Sequence, residues 1–229
     1  MSIAENLERL RNQIADACAH AGRNPADVAL MAVSKVHPVE VILEAHAAGQ
    51  RLFGENRVQE WQQKSPVAAP LEGLTMHLIG PLQSNKATKA AELFHAVDTV
   101  DSLKIAQRLD AAASALGKIL PIHLEVKLSH EESKHGLQPE ELSTLLEAIK
   151  TLTSLRPVGL MTVPPWSEDP ETARPYFQRL RQLRDQHLPE GGLSMGMSGD
   201  FAVAIAEGST CIRVGTALFG KRLYPDSPH

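Results

Sequence analysis

The sequence predicts an α/β fold, a single (β/α)8 TIM barrel with an extra N-terminal helix. Short apolar runs alternate eight times with longer segments whose apolar residues recur at helical spacing. The runs have the continuous apolar composition of parallel strands that are buried on both faces. The length of 229 residues suits one such barrel. An open, doubly wound sheet is the alternative arrangement of the same elements.

The predicted strands are rich in aliphatic and β-branched residues, which favour extended backbone. They are expected at 28–34, 52–54, 74–79, 94–97, 119–128, 158–161, 193–197 and 211–214. A loop is predicted over 65–73, where Ser, Pro, Ala and Gly dominate. Because no long linker or low-complexity segment divides the chain, we expect one domain over residues 1–229.

The predicted helices begin and end at residues that favour helix termini. The opening helix, 3–19, has an apolar stripe at helical spacing and a glycine cap at Gly22. Pro38 suits a first helical turn, and Asp101 or Ser102 suits an N-cap. The other helices are expected at 38–48, 57–64, 84–93, 102–116, 139–150, 170–187 and 198–207.

Composition and charge exclude several classes of function. Apolar residues make up 43% and charged residues 22% of the chain, as in globular proteins. The net charge is −4 with acids and bases interspersed, so the basic surface of a nucleic-acid-binding protein is not indicated. No apolar run has the length of a membrane span, and the N-terminus lacks a basic-then-apolar signal. We therefore expect a cytoplasmic protein.

Metal binding is not expected. The two cysteines, Cys18 and Cys211, lie far apart, and none of the ten histidines forms an i, i+4 pair or a Cys/His cluster. In a reducing compartment such cysteines are interpreted as small buried apolar residues.

The most informative residue is Lys35, which follows the first predicted strand. A lysine at the carboxyl end of a buried strand is costly to desolvate without a partner. One partner for such an amine is a carbonyl group, with which it forms a Schiff base. The alternative interpretation is a solvated lysine at a strand end.

The loops after the last two predicted strands have the form of a phosphate site. Gly215 permits close backbone approach, and Ser198 and Thr216 add hydroxyl donors. Barrels often bind phosphate after strands seven and eight. Ordinary capping by Ser198 and Gly215 is the alternative. Together with Lys35 across the same barrel mouth, the pattern favours a ligand with a phosphate and a carbonyl, and pyridoxal 5′-phosphate (PLP) has both.

Arg213 lies on the final predicted strand, two residues before Gly215. From there its side chain could reach the far edge of a ring anchored at the phosphate site. An arginine that faces a pyridine nitrogen only donates hydrogen bonds, so the nitrogen would stay unprotonated and the ring would be a weak electron sink. Pairing of Arg213 with a barrel carboxylate such as Glu125 is the alternative.

Seven blocks of residues, in order along nearly the whole chain, resemble the YggS/PROSC family of pyridoxal-phosphate homeostasis proteins. The blocks are Ala32-Val33-Ser34-Lys35, Phe53-Gly54-Glu55-Asn56, His77-Leu78-Ile79-Gly80 with Leu82-Gln83-Ser84-Asn85-Lys86, Ser133-Lys134-His135-Gly136, Gly159-Leu160-Met161, Leu193-Ser194-Met195-Gly196-Met197-Ser198, and Gly208-Ser209-Thr210 through Arg213-Val214-Gly215-Thr216.

This resemblance implies a single barrel domain similar to the N-terminal domain of alanine racemases. It implies PLP bound as an imine on Lys35, Arg213 facing the pyridine ring, and Asn56 beside the ring. The phosphate ligands it implies are Ser198, Gly215 and Thr216. A second lysine of the family pattern falls on Lys134, for which we expect a secondary role at the barrel mouth.

Family members show no established turnover, so the resemblance implies a protein that holds PLP and takes part in intracellular vitamin B6 homeostasis. A racemase of this type needs a tyrosine base from an additional domain, and Tyr176 and Tyr224 are expected on an outer helix and in the tail. The expected partners are PLP and recipient apo forms of PLP-dependent enzymes, with no nucleic acid or membrane, and we expect a monomer.

Two other functions compete with this one. The first is a single-domain PLP-dependent racemase, lyase or decarboxylase that acts on a small amino acid. The second is a barrel that binds another phosphorylated metabolite without an imine.

Overall fold

Parallel strands β1–β8 pair in sequence order, and β8 pairs back onto β1 to close a barrel. The computed structural model describes residues 2–129, 131 and 135–220. The strands are β1 Ala29–Val33, β2 Leu52–Glu55, β3 Thr75–Leu78, β4 Ala96–Val100, β5 Leu120–Glu125, β6 Leu155–Met161, β7 Gly192–Ser194 and β8 Cys211–Val214. The predicted (β/α)8 barrel is therefore confirmed, and the open sheet is wrong because β1 and β8 are paired.

Helices cover the outside of the barrel, as crossover connections between parallel strands require. They are α1 Ile3–His20, α2 Val39–Ala47, α3 Val58–Ala68, α4 Ala87–Leu93, α5 Leu103–Ala115, α6 Leu142–Ile149, α7 Arg174–His187, α8 Phe201–Ala206 and α9 Thr216–Phe219. Short 3₁₀ turns lie at Pro25–Asp27, Ser84–Lys86, Pro139–Glu141 and Pro170–Ala173. The main apolar core fills the layer between strands and helices, with Trp61, Phe53 and Phe177 fully buried. Among the helices of the described residues, none combines the length and the hydropathy that a membrane span requires.

The extra helix α1 covers the side of the barrel where β8 meets β1. Ser2 and Glu5 form a capping box at its start. Its buried stripe packs beside α2, α8 and α9. The Asn6 side-chain amide donates to the Leu218 carbonyl at 3.0 Å, which ties the beginning of the chain to α9. The N-terminal helix thus supports the closure of the barrel.

Helix α3 runs four residues beyond the predicted end at 64, so the loop prediction over 65–73 is wrong for 65–68. Pro66 lies inside the helix and has no N–H to donate to the carbonyl of Gln62. The Ser65 hydroxyl donates to that carbonyl instead, at 3.3 Å. Ala68 is fully buried, so packing also favours the last helical turn.

Strand β4 lies two to three residues later than the predicted 94–97. Its polar residues Asp98 and Thr99 looked like the end of a strand, but both are buried. The Thr99 hydroxyl donates to the Gly80 carbonyl at 2.8 Å. Tertiary partners thus accommodate polar groups that sequence patterning assigns to a loop.

The Asp98 carboxylate is the buried centre of the barrel interior. Nδ1 of His77 on β3 lies 3.1 Å from one oxygen, and Nδ1 of His123 on β5 lies 2.9 Å from the other. Burial acts to raise the pKa of Asp98, but the two imidazoles outweigh it and hold the pKa below its ordinary value. Arg213 of β8 lies across the closed barrel from β4, and the charge of Asp98 acts to raise the pKa of Arg213.

We expect Asp98→Asn to lower the free energy of unfolding by about 1–3 kcal/mol at pH 7, because an amide leaves a buried hydrogen-bonding group imperfectly paired. The folded-state pKa of Asp98 is lowered, so its contribution is present above the unfolded pKa of about 4 and is lost as the pH falls toward the folded value. The difference between wild type and variant should therefore narrow below about pH 4. Urea denaturation of both proteins between pH 7 and pH 3 measures this difference in the free energy of unfolding.

Asp16→Asn on the exposed face of α1 is the matched control, expected within about 0.5 kcal/mol of wild type. Equal stability of Asp98→Asn and wild type at pH 7 would contradict the role given to this carboxylate.

Candidate functional site

A cavity of about 610 Å³ opens at the carboxyl ends of the strands, the face at which barrels bind ligands. The structure brings together on its wall the six residues predicted to bind a cofactor. These residues are Lys35, Asn56, Ser198, Arg213, Gly215 and Thr216. The predicted secondary residue, Lys134, lies outside the described residues, as does Tyr224.

The register between β1 and β8 places Lys35 beside the end of β8. Met31 pairs with Arg213, and Ala32 pairs with Val214, so the turn that carries Lys35 and the residues from Gly215 onward leave the sheet together. A Cβ atom at Gly215 would lie 3.2 Å from the Val33 carbonyl oxygen. Glycine at this position therefore allows the ends of the two strands to approach each other closely.

The Arg213 guanidinium is buried, with the residue 5% exposed. Its Nη1 donates to the Ser194 hydroxyl at 2.8 Å, and its Nη2 donates to the Thr162 carbonyl at 2.9 Å. Burial lowers the pKa of Arg213, and acidic groups nearby, including Glu125, act to raise it. The two hydrogen bonds fix the plane of the guanidinium, and Glu125 acts on it through its charge. The alternative interpretation was a pair between Arg213 and Glu125. The acceptors that anchor the Arg213 side chain are instead Ser194 and Thr162.

The turn between β7 and α8 has a different cap from the predicted one. Asp200 is the N-cap of α8, so the prediction that Ser198 starts this helix is wrong. The Asp200 carboxylate accepts a hydrogen bond from the Met197 N–H at 2.6 Å, which closes the turn and leaves Ser198 on the cavity wall. Burial raises the pKa of Asp200. Gly196, with φ of 98°, adopts the left-handed conformation that starts this turn.

Thr216 begins α9, directly after Gly215. The Gly215 carbonyl accepts the N–H groups of Leu218 and Phe219, at 3.0 and 2.9 Å. The N–H groups at the start of a helix have no helical carbonyl before them. Gly215 and Thr216 therefore present backbone donors and a hydroxyl at the cavity.

Asn56 follows β2 and is held close to the segment after β3. A Cβ atom on Gly80 would lie only 2.2 Å from the backbone oxygen of Asn56, so only glycine fits there. This contact fixes the position of Asn56 on the cavity wall.

Sequence reasoning missed two parts of this region. The loop after β6 lines the cavity with Val163, Pro165 and Trp166, and Trp166 is 80% exposed at the mouth. Next to Ser34, the residue before Lys35, the buried carboxylate of Glu55 pairs with Lys64 of α3 at 2.7 Å. The motif Gly54-Glu55-Asn56 marked the carboxylate, but no pattern in α3 marked its partner. Within the described ranges, no group of three or more His, Cys, Asp and Glu residues could hold a metal ion.

Comparisons with known proteins agree with the motifs. A family model for the N-terminal domain of alanine racemase matches residues 6–223. A pyridoxal phosphate homeostasis protein of Pseudomonas aeruginosa is 48% identical over 224 residues, which cover 97% of this chain and 97% of that protein. The family resemblance seen in the sequence is confirmed.

Solved structures show the same barrel. PipY of Synechococcus elongatus with PLP bound is 43% identical, has a TM-score of 0.84, and is matched over 96% of this chain and 100% of its own. An alanine racemase of Clostridium difficile has a TM-score of 0.73 at 18% identity, over 97% of this chain and 58% of its own. That second likeness concerns the fold alone.

Proposed function

We propose that this chain, which belongs to the alanine racemase N-terminal domain family and within it to the pyridoxal phosphate homeostasis proteins, binds PLP on Lys35 and serves vitamin B6 homeostasis. The observation that carries the proposal is the β1–β8 register, which puts Lys35, Arg213 and Thr216 on one cavity. PLP binding by PipY, a relative matched over its whole length, supports it.

The chemistry of the cavity fits this cofactor. The Lys35 amine suits an aldehyde, and the hydroxyls of Ser198 and Thr216 suit a phosphate, as do the backbone donors at Gly215. The cavity volume of about 610 Å³ lies within the usual range of small-molecule sites. Asn56, which follows β2 next to β1, supplies an amide on the cavity wall beside the proposed ring position.

When bound, PLP supplies an electrophilic aldehyde carbon and a pyridine ring that can accept electrons. The Lys35 amine would condense with the aldehyde, forming a C=N bond with loss of one water molecule. Arg213 only donates hydrogen bonds, and its plane is already fixed by Ser194 and Thr162. Its positive charge beside the ring would keep the ring nitrogen unprotonated, which disfavours carbanion chemistry.

We infer a protein that holds and passes on PLP without turnover. The relatives matched over their full lengths are named for homeostasis and not for an enzymatic reaction. Tyr176 is carried by α7 and is absent from the residues that line the cavity, so it supplies no base there.

The remaining features of the proposal follow the sequence. We propose a single domain over 1–229, a monomer, and a cytoplasmic location, which the free thiols of Cys18 and Cys211 support. Apo forms of PLP-dependent enzymes are the proposed recipients. Lys134 is proposed as a secondary amine that helps transfer.

Lys35→Ala should abolish the visible absorbance of bound PLP while the protein stays folded, because Ser34 and Val36 make the backbone contacts that hold this turn. Borohydride reduction followed by peptide mass spectrometry should locate the adduct on Lys35 in wild type. Lys104→Ala, at an exposed position of α5, is the control and should keep full absorbance. An adduct found mainly on another lysine would disprove the assignment.

Ser198→Ala combined with Thr216→Val should weaken PLP binding more than either change alone. Each hydroxyl to a phosphate oxygen makes a charge-assisted bond of about 1.5–3 kcal/mol. Residual binding is expected because the backbone donors at Gly215 and Thr216 remain. Fluorescence titration gives the affinities, and an unchanged Kd in the double variant would place the phosphate elsewhere.

The enzymatic alternative predicts exchange of the α-proton of added amino acids in deuterated buffer. We expect no exchange above that of free PLP at equal concentration, measured by proton NMR with a panel of small amino acids. Exchange that depends on Lys35 would replace the carrier function with a catalytic one.

A further inference from the structure

A largely buried cluster of charges contacts the residues on both sides of Lys35 and is formed by Glu55 of β2 and by Glu60 and Lys64 of α3. We call it the Lys64 cluster. The Lys64 ammonium donates to Glu55 at 2.7 Å, to Glu60 at 2.8 Å and to the Ser34 carbonyl at 3.0 Å. Lys64 is 8% exposed and Glu55 is fully buried. All three donors of the ammonium are therefore used inside the protein.

The Lys64 cluster holds the chain on both sides of Lys35. On one side, the Ser34 hydroxyl donates to Glu55 Oε1 at 2.7 Å, and the Ser34 carbonyl accepts from Lys64. On the other side, the Val36 N–H donates to Glu60 Oε1 at 2.5 Å. The residue before Lys35 and the residue after it are thus both tethered to α3.

The turn held in this way is strained. Val36 has φ of 58°, and it is the one residue other than glycine in the described ranges with a positive φ. A β-branched residue is disfavoured in the left-handed region. Val36 is also 48% exposed, so little packing offsets the strain. Contacts from elsewhere must hold a backbone of this kind, and strained backbone concentrates at functional sites.

The Lys64 cluster is poorly explained as a device for stability. Taking the charges of Glu55 and Lys64 out of water, and in part that of Glu60, is costly, and apolar side chains in their place are often neutral or stabilising. Glu55 Oε2 is buried and makes no hydrogen bond within the described part of the chain. A role in positioning explains the cluster better, because three hydrogen bonds fix the positions of Ser34 and Val36, the two residues that flank Lys35.

We propose that Glu55, Glu60 and Lys64 are positioning residues that hold the strained turn at Val36 and thereby present the Lys35 amine to the cavity. This inference rests on the proposed function, since it assigns a task to the residues behind the proposed PLP lysine. These residues act through Ser34, by its hydroxyl and its carbonyl, and through the Val36 N–H, and they are not among the residues that line the cavity.

The test measures two properties separately. One is the rate at which Lys35 reacts with the aldehyde of PLP, and the other is the affinity for a ligand that has the same ring and phosphate but no aldehyde. Glu60→Ala removes the acceptor for Val36 N–H. We expect the rate at which PLP absorbance develops on Lys35 to fall about 10- to 100-fold, because a small misplacement of a reacting group has effects of this size. The Kd for pyridoxine 5′-phosphate, which has an alcohol in place of the aldehyde, should change less than about twofold, because it does not react with Lys35.

Two further variants and one control complete the test. Glu60→Gln keeps an oxygen that can accept from Val36 and Lys64, so its capture rate should lie within about threefold of wild type. Val36→Gly in the Glu60→Ala background makes the turn conformation accessible without strain, and should restore capture to within about threefold of wild type. Glu44→Ala, on the exposed face of α2, is the matched control and should behave as wild type.

The outcomes are distinct. If Glu60→Ala lowers the rate of PLP capture and the affinity for pyridoxine 5′-phosphate by the same factor, the whole site is damaged and the positioning role is overturned. Unchanged capture in Glu60→Ala, or failure of Val36→Gly to restore it, would overturn it as well. If Glu60→Ala does not fold, the Val36→Gly double variant decides by the same two measurements. Failure of the proposed function looks different, because wild type itself would then form no adduct on Lys35.

Discussion

The pairing of β8 with β1 is the constraint on which the rest of the structure depends. Without it the strands would form an open sheet, and residues some 180 positions apart in sequence would have no reason to meet. The register from Ala29–Cys211 to Ala32–Val214 sets the relative height of the two strand ends. It therefore determines that the Lys35 turn and the Gly215–Thr216 helix start share a cavity wall. Helix α1 strengthens this closure from outside through its contacts with α8 and α9.

Buried charges stand among the apolar residues inside and next to the barrel. Asp98 lies between two imidazoles, Arg213 is held by Ser194 and Thr162, and Lys64 lies just outside between two glutamates. Each buried charge has partners on neighbouring elements, as burial of charge requires. Networks of this kind fix side-chain directions more strictly than apolar contacts do. The site is therefore preorganised, with the guanidinium of Arg213 and the flanks of Lys35 set before any ligand binds.

Sequence patterning predicted every strand of the barrel because each is a short apolar run bounded by turn or capping residues. It located β8 at its observed bounds, and it placed the other strands within a few residues. It failed where polar groups are buried or where a breaker is tolerated. β4 was placed too early because Asp98 and Thr99 are polar. α3 was ended at 64, before Pro66, whose missing hydrogen bond Ser65 replaces. Such errors are local in sequence, but their causes are contacts with distant residues.

The sequence by itself determined the fold class and the residue types at the strand ends, because hydrophobic periodicity and motif spacing are local properties. From them came Lys35, Asn56, Ser198, Arg213, Gly215 and Thr216 as candidates, and their contact with a cofactor stays a prediction. Only the tertiary structure decided that these six line one cavity and that Arg213 is anchored by Ser194 and Thr162. It alone also showed that Lys64 donates to Ser34 and that Glu60 accepts from Val36, the two residues that flank Lys35. Those facts depend on the register of barrel closure and on which helix face meets which strand end, and no local pattern encodes either.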